Sequence, residues 1–412
     1  MLRTIDREFA YVATAVTDVH HRHRYVVKHR ITKRPSVAGC LYAAHLVGVH
    51  ESPNTVATTL KGLRALLSFS DESELDIERR LLQGERIEPR NIRAFAHWLE
   101  QRYRGNGDVL PKASRSTFNA ILMHARNAES WFISMYWSGN QPQARGHEIS
   151  GVLATQRAVW CNVQKRVICT PTAPDLDEDE IRRIDTFLSN LALPPDADHM
   201  WVRTFLIWRL AIEFGLRIGE ILALRIEDCP TRQRSSFEIV RIEDRRQADS
   251  RGVYTPRPKT LGRSLGILLA NSAFPALVFR YISEYRVTWK VRPDGSRRKS
   301  PNVPHPYLLV TDAGDPLPQV TARSLAAKIA RETGVAFNWH AARHAFFNRA
   351  YAAIGWIPDL GEQNVRLNDL IYWGGWSSPK SLEIYTNRAR KHRAAHALAI
   401  WQGRLEEWKS LR

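Results

Sequence analysis

From residue 36 to about 165 the apolar positions recur at helical spacing. Ile92, Phe95, Ala96 and Leu99 fall at i, i+3, i+4 and i+7, and Phe118, Ile121, Leu122, Ala125, Phe132 and Met135 draw a longer stripe. The pattern predicts a bundle of roughly four or five helices over 36–168. Ahead of it, residues 1–35 are basic and rich in histidine (His20, His21, His23, Lys28, His29, Arg30), and are expected to form a basic N-terminal arm. Two prolines in Cys169-Thr170-Pro171-Thr172-Ala173-Pro174 deny regular structure, and the acidic run Asp175 to Glu180 follows. A linker over 169–176 and a second domain over 177–412 are expected, with Asp177 and Glu180 spaced as a capping box.

The second domain reads as mostly helical with a small antiparallel sheet. Trp201 to Phe214 is an apolar helix stopped by Gly215. Ser236 to Ile242, Gly252-Val253-Tyr254 and Arg263 to Leu268 have the composition of strands. Arg292 to Pro306, basic and interrupted by prolines, reads as an exposed loop. The fold class is therefore mainly α, in two parts, with a small β-sheet in the C-terminal one.

Composition narrows the partners. Sixty Lys and Arg against 42 Asp and Glu leave a net charge of +18 in 412 residues, the electrostatic footprint of a nucleic-acid binder. Lys61, Arg64, Arg90, Arg93, Lys112 and Arg115 sit at polar positions of the predicted helices and are candidates for phosphate contact. The four cysteines form no C-x-x-C pair, so neither a zinc knuckle nor a disulfide framework is expected; they read as reduced, mostly buried thiols. No apolar run suits a signal peptide or a membrane span, and the expected location is the cytoplasm, with the nucleoid.

Three segments carry candidate chemistry. Arg217 and Glu220 stand three residues apart in Gly215-Leu216-Arg217-Ile218-Gly219-Glu220, so on a helix start the carboxylate can hold the guanidinium in one orientation. His340, Arg343 and His344 share one face of a helix. A zinc site on His340 and His344 is disfavoured, because Ala341 stands where a metalloprotease helix carries Glu. Near the C-terminus Trp376 precedes Tyr385 by nine residues. Two arginine forks suit a phosphodiester, whose non-bridging oxygens gain charge in a pentacoordinate transition state.

These segments, in this order and spacing, resemble the catalytic signature of the tyrosine recombinases, the phage integrase family. The resemblance covers roughly 175–412; the N-terminal part matches only as a basic helical bundle of suitable size, of the core DNA-binding type. It implies Tyr385 as the nucleophile, Arg217 and Arg343 as the phosphate clamp, Glu220 as their support, and His340 as the catalytic imidazole with His344 bracing its helix. Trp376, where many members have a second histidine, supplies an indole N–H and cannot shuttle protons. Lys259, in a hairpin between the two arginine motifs, is implied as the general acid. The implied activity is site-specific recombination of duplex DNA through a 3′-phosphotyrosyl intermediate, without metal, ATP or cofactor, for a mobile element. Implied partners are a specific recombination site in double-stranded DNA, three further protomers joined by exchange of the C-terminal helix (Leu398, Trp401, Leu405, Trp408, Leu411), and DNA-bending or directionality factors. Alternatives are a type IB topoisomerase, a telomere resolvase, and a catalytically silent DNA-binding protein of the same fold.

Overall fold

The computed structural model describes residues 9–17, 23–50, 52–104, 107, 109–137, 145–167, 175–231, 234–246, 251, 255–256, 258, 260–266, 273–291, 297–300 and 302–410. Of 23, 145–147, 289–291, 297–299, 384–385, 387–389, 391–393, 396 and 405–410 only the backbone is described. The chain divides into two compact units, Met1–Thr170 and Pro171–Arg412.

The first unit opens with an antiparallel pair, β1 (Tyr11–Thr17) and β2 (His23–His29), in which Tyr11 faces His29. Helices α1 (Val37–Val49), α2 (Pro53–Glu72), α3 (Ile77–Leu82), α4 (Pro89–Arg104), α5 (Lys112–Tyr136) and α6 (Arg145–Asn162) follow. The expected basic arm is thus corrected over 11–17 and 23–29. Phe9 and Val27 enter the helical core, Tyr25 donates from its hydroxyl to Pro53 O at 2.9 Å, and Arg64 Nε donates to Tyr11 O at 3.2 Å. Apolar residues at 9, 11, 25 and 27 need a covered face, and two strands packed on α1 and α2 provide one. Arg64 is spent there, buried, and not on a solvated surface as expected.

The helical stripes are buried as their spacing predicts, with one exception: Met135, at the end of the second stripe, is exposed. Buried Glu129 ties α5 to α6 and to the segment before α4. Its carboxylate accepts from Ile87 N at 2.6 Å, Gln156 Nε2 at 2.7 Å and Trp160 Nε1 at 2.6 Å. Burial pushes its pKa up, and these three bonds pull the other way.

In the second unit α7 (Glu178–Ala192) opens with the Asp177–Glu180 capping box, both bonds present. Next come α8 (His199–Phe214), the short α9 (Ile218–Ala223), and the antiparallel strands β3 (Ser236–Ile239) and β4 (Arg263–Gly266). Helix α10 (Ala273–Arg280) runs into a π turn over Tyr281–Tyr285. Strands β5 (Thr288–Val291) and β6 (Arg297–Ser300) then pair antiparallel, Val291 against Arg297. The loop expected from Arg292 to Pro306 is therefore strand over Arg297–Ser300, where it pairs with Thr288, Trp289 and Val291, residues of strand propensity. The expected strand at 252–254 lies outside the described residues.

Helices α11 (Gln319–Thr333), α12 (Trp339–Ile354), α13 (Leu360–Gly374) and α14 (Lys380–Ser410) complete the chain. Trp208, Phe237, Phe274, Tyr281, Ile329 and Trp339 pack into one core, while Phe347, Leu370, Trp376 and Leu382 form a second, smaller one. Cysteine burial is less complete than expected: Cys229 is buried, Cys40 is half-buried and Cys161 is exposed, while Cys169 lies outside the described residues.

Candidate active site

Local chemistry places Arg217. Helix α8 ends on Gly215 at φ +60°, and a Cβ there would come within 2.4 Å of Phe346 Cδ1, so this stop needs glycine. Two residues on, Arg217 is extended at φ −71° and caps α9: its N–H donates to Glu220 Oε2 at 2.8 Å, while Glu220 N donates to Arg217 O at 2.9 Å. The arginine backbone is pinned before its side chain is considered.

Glu220 is buried and sits among three guanidinia. Arg263 pairs with it side-on, Nη1 to Oε1 and Nη2 to Oε2 both at 3.1 Å. Nη1 of Arg217 and Nη1 of Arg343 each lie 3.7 Å from a carboxylate oxygen, and Thr260 Oγ1 donates to Oε1. Burial alone would raise the pKa, but Arg263, then Arg343, and the hydrogen bonds outweigh it and hold the carboxyl below its ordinary value. Glu220 is thus a buried anion.

Asn338 starts α12, its Oδ1 accepting from His340 N at 2.9 Å and Ala341 N at 3.0 Å, which places His340 in the first turn and Arg343 and His344 in the next. His340 is exposed, whereas His344 is buried, and their rings meet edge to face with centroids 4.5 Å apart. Desolvation, then the charges of Arg343 and Arg217, lower the pKa of His340, so its imidazole is neutral at physiological pH. His344 is pushed down to about 4, by burial first and then by His340 and Arg343.

The three arginines meet at the end of α13. Arg263 Nε donates to Trp373 O at 2.7 Å; Arg343 Nη2 and Arg217 Nη1 both donate to Gly374 O, at 3.0 and 3.4 Å; Leu261 N donates to Gly375 O at 3.1 Å. Three terminal carbonyls, the negative end of the helix dipole, are met by three guanidinia and one amide. Gly375 takes φ +61°, and a Cβ on it would lie 2.7 Å from Arg263 Nη1. Beyond the turn Trp376 packs on Phe347, centroids 4.6 Å apart, and the Arg343 Cζ stands 5.2 Å from the Trp376 ring.

Arg217, Glu220, Arg343, His344 and Trp376 are thus gathered, with His340 at the rim. Arg217 has 24% of its side chain exposed and Arg343 none, so the clamp opens on the Arg217 and His340 side. Arg343 also donates to Gly215 O, so its guanidinium is held between two main-chain carbonyls. Tyr385 lies within α14, between buried Leu382 and buried Thr386, and its side chain is outside the described residues. So is Lys259. Of the phosphate candidates in the first unit, Arg90, Arg93 and Lys112 are exposed, Lys61 and Arg115 half-buried.

No family model and no curated protein matches the sequence. Several solved structures do. The Tn1549 transposon integrase in complex with circular intermediate DNA is 14% identical, over 86% of this chain and 98% of that one, with a TM-score of 0.48. The XerH site-specific recombinase bound to a palindromic difH substrate is 14% identical, over 86% and 98%, with a TM-score of 0.41. A lambda integrase dimer bound to a core site is 10% identical, over 90% and 94%, with a TM-score of 0.37. These neighbours are tyrosine recombinases. They assign no role to any residue here, and the chemistry has to come from this chain's own groups.

Two contributors were missed in the sequence: Arg263 and Thr260, both buried against Glu220. The available signal was strand period. Arg263 shares the inward face of β4 with Leu265, and a charged residue at an inward position demands a buried partner.

Proposed function

We propose that the chain is a tyrosine-type site-specific DNA recombinase. The observation that carries this reading is the convergence of Arg217, Arg343, Glu220 and Trp376 on the Gly374 turn, with neutral His340 at the open edge. In the cleavage step the Tyr385 hydroxyl attacks the phosphorus, forming a 3′-phosphotyrosyl bond. Its proton passes to His340, and the departing 5′-oxygen takes a proton from Lys259. A phenol with an ordinary pKa of about 10 requires this help. Arg217 and Arg343 supply the charge that meets the pentacoordinate transition state. The reverse reaction on another strand completes the exchange, so neither metal nor ATP is consumed.

The net charge of +18 supports duplex DNA as the partner. Leu398 and Trp401 of α14 are 58% and 66% exposed in the single chain. The same unit carries an open apolar cavity of about 980 Å3 lined by Phe214, Leu265, Phe274, Phe346, Ala350 and Trp373. Both fit a tetramer in which α14 docks on a neighbouring protomer. The setting is a mobile element in the cytoplasm, with DNA-bending or directionality factors controlling the outcome.

The test is a pool of random-sequence duplexes, each nicked so that the 5′-hydroxyl fragment is lost after cleavage. The protein should trap a sequence-defined subset as an adduct that survives boiling in detergent and is indifferent to EDTA. Tyr385→Phe should form none. Adducts without sequence preference, together with relaxation of any supercoiled plasmid, would replace this reading with a type IB topoisomerase.

A further inference from the structure

Arg263 has no place among the reagents of the proposed chemistry, yet its guanidinium is bonded on every side. It holds both Glu220 oxygens at 3.1 Å, Trp373 O at 2.7 Å and Thr260 Oγ1 at 3.1 Å, with 1% of its side chain exposed. A side-on guanidinium–carboxylate pair removed from water is close to electrically neutral as a unit. Arg217 and Arg343, at 3.7 Å, stand just beyond hydrogen-bond distance of the same carboxylate. One anion among three cations leaves two charges over, and the geometry says which two: the side-on pair is Arg263 with Glu220.

We propose that Arg263 is a positioning residue that neutralises Glu220, so that this carboxylate orients Arg217 and Arg343 without cancelling either charge and the two meet a phosphodiester as a net dication. The role rests on the recombinase reading. Without Arg263, Glu220 would remain buried with its nearest cations less than 1 Å from hydrogen-bond distance. It would capture one of them, and the clamp would lose a charge where transition-state charge develops.

The test compares wild type, Arg263→Met, Glu220→Gln and the double variant as full chains, on the duplex that wild type selects from the random pool. Arg263→Met should slow single-turnover adduct formation by about 10²-fold while duplex affinity stays within about threefold. Adding Glu220→Gln should recover at least about tenfold, because removing both members restores the dication. The His340 titration, followed by NMR without DNA, should move up in Arg263→Met and return in the double variant. A double variant as slow as Arg263→Met, or a His340 titration that does not move, overturns the proposal. If Arg263→Met does not fold, Arg263→Lys replaces it: a rate within about tenfold of wild type with His340 unmoved supports the role, and a loss of about 10²-fold overturns it. Wild type forming no adduct refutes the recombinase reading, and the DNA-free titrations still decide the charge balance.

Discussion

Arg217 and Arg343 donate to one and the same oxygen, the carbonyl of Gly374, at 3.4 and 3.0 Å. A single main-chain acceptor thus holds both forks together, and in the proposed chemistry a phosphate oxygen would compete with it for them. Because Arg217 is the more open of the two, its removal should be felt directly in the transition state. Arg217→Ala should lower the single-turnover cleavage rate by about 10²- to 10³-fold with duplex affinity little changed. Gel-shift titration beside quenched-flow cleavage checks this, and an equal loss in both would make Arg217 a simple binding residue.

The turn that offers this carbonyl depends on Gly375. With φ at +61° and Arg263 Nη1 2.7 Å from where a Cβ would sit, Gly375→Ala must strain the backbone and push on the buried ion pair together. The expected cost is about 1–3 kcal/mol in unfolding free energy, with cleavage falling further than that loss explains. Chemical denaturation of the variant, followed through tryptophan emission, measures the first part. An unchanged midpoint would mean that the turn relaxes freely.

His344 gives stability a pH dependence whose sign is fixed. Its folded pKa is pushed down to about 4 from an ordinary 6.5, so between those values the unfolded chain binds a proton that the folded one refuses. Stability from this residue is present above pH 6.5 and drains away as pH falls toward 4, up to about 3 kcal/mol. Urea unfolding between pH 4 and pH 7 should show the loss in wild type and a smaller slope in His344→Phe. In the proposed chemistry His340 acts on rate as well. Neutral imidazole is the useful form, so cleavage should fall on acidification with a midpoint below 6.5.

Within the first unit, Glu129 predicts a large penalty from a small deletion. Glu129→Ala strips Ile87 N and Trp160 Nε1 of their acceptor inside the core and leaves Gln156 Nε2 with Ile87 O alone. Each orphaned buried donor costs about 1–3 kcal/mol, so the unit should be destabilised by about 2 kcal/mol or more. Its denaturation midpoint, and a shift in Trp160 emission, report the effect; a change under 1 kcal/mol would mean that water reaches these donors.

What could be read in advance followed local rules. The Asp177–Glu180 box announces α7, Gly215 stops α8, and the order of Arg217, Arg343 and Trp376 along the chain suggested one meeting place. The meeting point itself, the Gly374 carbonyl, could not be read, because a main-chain acceptor leaves no mark in composition. Arg263 escaped notice for a related reason: an arginine in a strand looks like a solvated charge until its distant partner is known. The β1–β2 pair was hidden by charge. His23, Arg24, Lys28 and His29 made a basic arm the natural reading, although Tyr25 and Val27 alternate as a half-buried strand should.

Exposure of α14 leads to the last prediction. Among the described residues Trp401 is 66% exposed on a single chain, and Leu398 lies one turn away at 58%. If the helix docks in a neighbouring protomer, Trp401→Ser removes contact area from the assembly and none from the monomer's core. Melting temperature and binding to one half-site should stay as in wild type. Assembly on a full site, read by sedimentation, should fail, and recombinant product should fall at least tenfold while single-site cleavage persists. Filling the apolar cavity with Ala350→Trp should give the same phenotype if that cavity receives the helix. A Trp401→Ser chain that unfolds early would show instead that α14 packs on its own domain.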